Sequence, residues 1–405
     1  MIVMPDRSNG TSSRLAGVDA ARGLALIGMI AAHVLPLYDG QTAEPTLAGL
    51  VFSGRSSALF AVLAGLSLGL MTGGSQRHRG KLFSADLRGI TARAMVLFGI
   101  GLTMGLWDVN VAIILCQYAL LFLLLLPFTT LGPRVLYPLA FGWLALSPVL
   151  AFPLRAGLWQ SMGAEAVTDG NPCWLNLFTP SFLPDLLLTG TYPAFQWLGY
   201  LLLGLALARS DLGKLRLAWT MLAGGVLMAV ASRLISDLLL YSGGGLAALR
   251  RTAEGSEFYL EPLLYVRSLT ERQDESWWWL AVSTPHSGSP FDLLGTAGTA
   301  LAVIGGFLLL ARRLRPLVLP FAVIGRIPLT LYVGHVGVLA LLTFAAVEYL
   351  PEELFWLILA GSLLLGIGYY LWGRRGPLES LLGTVAGIAR GNEEAPRASR
   401  HRALR

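Results

Sequence analysis

Apolar runs long enough to cross roughly 30 Å of hydrocarbon recur ten times along the chain, at Val18–Tyr38, Leu50–Thr72, Ile90–Trp107, Val111–Phe128, Val135–Leu154, Tyr192–Ala208, Leu215–Leu240, Leu293–Ala311, Pro328–Ala346 and Leu354–Trp372. The pattern predicts an all-α polytopic membrane protein of about ten transmembrane helices. Leu317–Ile324 is too short to span and is expected as a half-helix at the interface. An even number of crossings puts both termini on one side. Four segments follow: 1–17 before the first span, a first membrane region over 18–208, a second over 209–382 with a long external loop at 241–290, and a basic tail at 383–405. The tail loses apolar periodicity and is expected to be disordered. Long loops such as 153–191 and 241–290 tend to act as lids or binding loops, although the run Trp277-Trp278-Trp279 also fits a headgroup-level aromatic belt.

Composition agrees: 55% hydrophobic and 13% charged residues, with mean hydropathy +0.63, exclude a water-soluble globule. A net charge of +6 would suggest nucleic acid in a soluble protein, but topology explains it here and no nucleic-acid partner is expected. Arg77, Arg79, Lys81, Arg88, Arg93, Arg209, Lys214, Arg216, Arg312, Arg313, Arg315, Arg374 and Arg375 flank one face, and Arg390, Arg397, Arg400, Arg402 and Arg405 join them. By the positive-inside rule that face and both termini are cytoplasmic, in a multi-pass protein of the cell membrane. The stretch before Val18 is read as leading into a retained span rather than a cleaved signal. Cys116 lies in an apolar helix and Cys173 in a loop, so both are expected as free thiols.

The polar residues inside the apolar runs carry the chemistry. Asp19, Arg22 and His33 all lie in the first span, where an ionisable group costs roughly 2.5 to 3.5 kcal/mol even on lenient insertion scales. Arg22 and His33 are eleven residues apart, almost three helical turns, so they share a face about 16 Å apart along the axis. Asp19 is near enough to neutralise Arg22. Arg55 opens the second span at a depth like that of His33, and a short antiparallel pairing would bring both into one pocket lined also by Ser56. Arg233 and Asp237 are spaced to pair along one helix face. His335 follows Tyr332 on the ninth span, at a depth nearer the cytoplasmic half, where it serves the site or simply bonds a neighbouring helix.

A histidine near its titration point can take a proton from a hydroxyl or amine attacking an acyl group, with Arg55 or a backbone N–H steadying the oxyanion. A phosphate-bearing acyl donor needs cations at one end of a long thin arm and a base at the other. Arg22 with the cytoplasmic arginines, and His33 about 16 Å deeper, meet both requirements.

The run Val18-Asp19-Ala20-Ala21-Arg22-Gly23 with ten residues between Arg22 and His33 resembles the arginine-ten-histidine motif of the acyltransferase-three families. Gly54-Arg55-Ser56-Ser57-Ala58-Leu59-Phe60 resembles bacterial relatives of heparan-alpha-glucosaminide N-acetyltransferase. Tyr192-Pro193-Ala194, Pro285-His286-Ser287-Gly288, Gly325-Arg326-Ile327-Pro328-Leu329-Thr330-Leu331-Tyr332 and Gly376-Pro377-Leu378-Glu379 extend the likeness into a C-terminal domain of unassigned function. The histidine followed by Trp-Asn-Gly of the lysosomal enzyme is missing from the loop after the first span.

The resemblance implies a ten-helix acyltransferase that moves an acyl, most simply acetyl, group from acyl-coenzyme A to a glycan or other small-molecule acceptor of the cell envelope. It implies His33 as the catalytic histidine with Arg22 as its motif partner; Asp19 is placed with them, and Arg55, Ser56, His286, Arg326, Tyr332 and His335 are the candidates for oxyanion or substrate contacts. No metal is expected. The same intramembrane charges also fit a proton-coupled exporter of a small solute or an envelope scaffold.

Overall fold

Small residues dominate the first helix and let other backbones close on it. In the computed structural model, which describes residues 11–42, 44–163, 170–252 and 276–391, α1 (Thr11–Val34) is central. Ala20, Ala21, Ala25, Leu26, Ile30 and Ala31 are each at most 1% exposed. The helix starts at Thr11, seven residues before the apolar run does.

A short helix α2 (Leu47–Phe52) and α3 (Arg55–Met71) form the second span, broken at Gly54, whose φ of 68° lets the chain turn sharply. α4 (Lys81–Met104) and α5 (Leu115–Leu125) follow, then α6 (Pro133–Met162), which runs past its expected end at Leu154 with Pro138, Pro148 and Pro153 inside it. α7 (Ala194–Arg209) is buried at every position except Phe195. A helix apolar on all sides belongs in a bundle centre, and sixteen residues suffice there. Glycine sets its crossing with α3: a Cβ on Gly65 would stand 2.2 Å from the Leu201 carbonyl oxygen, and one on Gly204 would stand 1.9 Å from that of Val62.

The second region adds α8 (Leu215–Asp237), largely exposed along its outer face, and α9 (Pro290–Arg313), which packs between α8 and α1. α10 (Arg315–Ile324) and α11 (Pro328–Phe344) meet at a 61° bend, and α12 (Pro351–Leu371) and α13 (Pro377–Arg390) complete the chain. One apolar core draws on both regions, so the division at 208/209 is not a packing boundary. Among the described residues there is no strand, only one bridge between Tyr38 and Pro45.

All ten apolar runs are largely helical, but among the described residues seven helices are long and apolar enough to cross a membrane, eight if the bent pair counts as one span. The helices containing Leu115–Thr130 and Ala194–Arg209 are apolar but shorter. The expected half-helix is present as Arg315–Ile324, one limb of the bent pair, and buries Val318, Ala322, Val323 and Ile324 where glycine in α1 gives it a place to dock. One expectation is corrected. The tail expected from 383 is helical to Arg390: Leu382 and Ala386 are buried, and Arg390 lies 2.8 Å from the buried Asp86, which also meets His78 at 2.7 Å. Arg397, Arg400, Arg402 and Arg405 lie outside the described residues. Cys116 and Cys173 are free thiols.

The basic loops gather at one end of the bundle. Arg209, 4% exposed, donates to the carbonyls of Gly69, Gly74 and Thr129 and to the Thr72 hydroxyl, at 2.6 to 2.8 Å. Arg77 reaches Thr130 O, and Arg312 reaches Gly213 O. At the other end the loop 282–289 lies under Gly54, where Pro285 would be 3.0 Å from an added Cβ.

Candidate active site

The α10–α11 bend exists because two glycines let α1 touch it. A Cβ on Gly325 would be 1.8 Å from the Asp19 carbonyl oxygen, and one on Gly23 would be 1.9 Å from that of Phe321. Arg22 closes this elbow: its guanidinium donates to the Asp19 carboxylate at 2.8 Å, to the Gly325 carbonyl at 3.1 Å and to the Ser67 hydroxyl at 2.9 Å. Glu379 of α13 accepts from the backbone N–H groups of Leu329 and Thr330 and from the Thr330 hydroxyl, a carboxylate at a helix N-terminus where free donors and the dipole favour it. The motifs at Asp19–Arg22, Gly325–Tyr332 and Gly376–Glu379 thus form one joint. Arg326 stands exposed beside it, its guanidinium 5.1 Å from the Tyr370 ring centre and within electrostatic reach of Asp19.

From this joint α1 and α11 run side by side, Arg22 matched to Gly325 and His33 to His335. That register corrects the cytoplasmic-half depth expected for His335. Nδ1 of His33 lies 2.9 Å from Nε2 of His335, and Nδ1 of His335 lies 3.1 Å from Leu331 O. A carbonyl only accepts, so neutral His335 donates Nδ1–H to it and its Nε2 becomes an acceptor. His33 then donates from Nδ1, which leaves its Nε2 lone pair free as a base. His335 is 3% exposed and Tyr332 also 3%, whereas His33 is only half-buried. The Tyr332 ring lies 5.3 Å from that of His335 and 6.4 Å from that of His33, and its hydroxyl accepts from Ile114 N–H at 3.5 Å.

A third histidine arrives from the loop 282–289. His286 holds a left-handed φ of 62°, unusual for a residue with a Cβ. Its ring stacks on Trp197 at 6.3 Å and meets Tyr192 edge-on at 5.4 Å, within electrostatic reach of His33. Burial holds its imidazole down at a pKa of about 4. The loop is propped from behind, where Arg155 donates to Gln196 at 2.6 Å and Gln196 donates to Gly288 O at 2.7 Å.

Arg55 and His33, expected in one pocket, face different spaces. Arg55 donates to Leu50 O at 2.5 Å and lines a separate cavity with Asp292, because the turn at Gly54 carries it behind Pro285. Ser56 is buried against Gly28 of α1. Arg233 and Asp237 do pair, at 2.9 Å. Sequence reasoning passed over Trp197, Gln196, Asp292 and Tyr118, whose buried hydroxyl has no hydrogen-bond partner among the described residues. Tyr118 lies within electrostatic reach of Tyr192 and Tyr332. A polar atom in an otherwise apolar helix, such as that of Gln196, was the available signal.

The fold is a multi-pass helical bundle of the membrane-protein class, with a hydrogen-bonded imidazole pair between its first helix and α11. Residues 14–241, just over half of the 405, match the family described as heparan-alpha-glucosaminide N-acetyltransferase, catalytic, and the chain belongs to that family. It has the architecture and lineage of a membrane acetyltransferase. No curated protein matches the chain. The matched span includes Arg22, His33, Arg55 and Tyr192, while His286, Gly325, His335 and Glu379 lie beyond it.

Proposed function

We propose that this protein transfers an acetyl group from acetyl-coenzyme A, bound at the basic, cytoplasmic end, to a hydroxyl or amine presented at the opposite face of the cell membrane, with His33 as general base. The observation that carries this reading is the His33–His335 hydrogen bond, which leaves the Nε2 lone pair of the half-buried His33 unprotonated. The acceptor oxygen or nitrogen attacks the thioester carbonyl carbon as Nε2 of His33 takes its proton. The carbon–sulfur bond then breaks, and the coenzyme thiolate recovers that proton from His33. Arg22 is held inside the elbow, so the donor's phosphates fall to exposed cations at the same end, Arg326 foremost. The unpartnered Tyr118 hydroxyl is a donor for the oxyanion.

Acetyl-coenzyme A should raise the melting temperature of the detergent-purified protein, since a ligand bound only by the folded state stabilises it. Acetyl transfer or hydrolysis should disappear in His33→Ala at unchanged melting temperature; undiminished turnover there rejects His33 as the base. The bent α10–α11 pair also favours a second reading, a proton-coupled exporter, because broken helices mark transport sites. Solute movement in proteoliposomes driven by a pH gradient without acyl donor would select it.

A further inference from the structure

Behind the histidine cluster lies a cavity of about 290 Å³, near the lower end of the roughly 300–1,000 Å³ usual for small-ligand sites. Arg55, Arg233, Asp292, Ser232, Thr296 and Thr299 contribute to its wall. Nothing in the reaction scheme uses these groups, yet their chemistry is consistent. Two guanidiniums and a buried carboxylate share the wall with these hydroxyls and with the apolar Ala229, Val230, Leu234 and Phe291. Arg55 gives one N–H to Leu50 O and Arg233 one to Asp237, out of five donors on each side chain. Asp292, 5% exposed, accepts from Gly288 N–H at 3.1 Å.

The position of the cavity selects the ligand. α8 supplies one wall, and its neighbouring Leu227, Val230, Leu234 and Leu238 are 50% to 70% exposed, the outer surface of a span rather than a protein interface. Arg233 follows Leu215, the first residue of α8, by eighteen positions, about 27 Å of helix against roughly 30 Å of hydrocarbon. The cavity therefore lies at headgroup depth beside the outer face of α8, on the end opposite the basic loops. Its inner wall is Pro285, next to His286, whose ring turns the other way onto Tyr192 and toward His33. One loop thickness separates it from the imidazole cluster.

We propose that this cavity seats the headgroup of an anionic, hydroxyl-bearing membrane lipid, with phosphate on Arg55 and Arg233 and hydroxyls on Asp292, Thr296 and Thr299. The loop 282–289 stands between this seat and His33, so the lipid site is separate from the proton transfer and does not rest on the acetyltransferase reading.

The test uses phosphatidylglycerol as probe, measured as lipid retained per chain by native mass spectrometry of the full-length protein from detergent. Retention of one phosphatidylglycerol, preferred about tenfold or more over phosphatidylcholine, and a loss of about tenfold or more in Arg55→Gln, support the site. Thr299→Phe fills the cavity from a half-buried position without removing a charge and should give the same loss at wild-type melting temperature, which keeps the test decisive if Arg55→Gln fails to fold. Unchanged retention in Thr299→Phe overturns the site. Displacement of the lipid by micromolar glycerol 3-phosphate overturns the lipid assignment in favour of a soluble phosphate ester. If phosphatidylglycerol is retained as described but acetyl-coenzyme A neither stabilises the protein nor is consumed, the transferase reading fails and the lipid site stands; the reverse result removes the lipid site alone.

Discussion

The Leu331 carbonyl decides which nitrogen of His33 is free, by way of His335. His335→Leu removes the acceptor for His33 Nδ1 and should lower kcat about 100-fold, with the KM for acetyl-coenzyme A little changed. His335→Gln restores an acceptor at that position and should recover part of the rate; equal losses in both variants would make His335 a packing residue. Arg326→Gln should do the opposite, raising KM several-fold at constant kcat, as a lost ground-state contact does. His286 has a pH consequence. Its unfolded form protonates below about pH 6.5, but its folded form does so only near 4. Between those values the unfolded state binds more protons, so stability falls as pH drops through that window, by up to about 3 kcal/mol from this group. The melting temperature of His286→Gln should decline less between pH 6.5 and 4 than that of the wild type.

At the scale of elements, the glycine contacts between α1 and the α10–α11 bend are backbone against backbone, so neither partner has a side chain to move aside. Gly325→Ala should cost about 3 kcal/mol or more, read as a lower melting temperature. Gly334→Ala, exposed on α11 with open space around it, should be neutral or stabilising by up to about 1 kcal/mol. These elements also show what could be read in advance. Long apolar runs gave every spanning helix, since hydrocarbon thickness fixes their length, and the charges on α1 drew attention to Asp19, Arg22 and His33. Spacing along one helix cannot report the bend of another, so the meeting of His33 with a residue 302 positions away stayed hidden. The Glu379 cap and the docking of α13 were likewise invisible, because a short amphipathic helix rich in glycine and alanine reads locally like a tail.

For the molecule as a whole, α13 acts as a clasp on α4. Asp86 is 2% exposed and meets both His78 and Arg390. Arg390→Ala takes the guanidinium from a buried carboxylate, a change that typically costs 3–5 kcal/mol, and should lower the melting temperature accordingly. Combining it with Asp86→Asn should recover part of the loss; a double variant as unstable as the single one would show that Arg390 matters for its packing alone.

The pairing of α1 with α11 also bears on how the protein is made. A nascent chain that has delivered residues 14–241 to the bilayer carries every position of the family match, yet its first imidazole still has no companion. On the proposed mechanism, competence comes only when synthesis reaches the final third of the polypeptide and the two rings meet. A gene cut between codons 253 and 275 and expressed as two pieces should therefore yield an inert front fragment that regains turnover when the rear one is supplied.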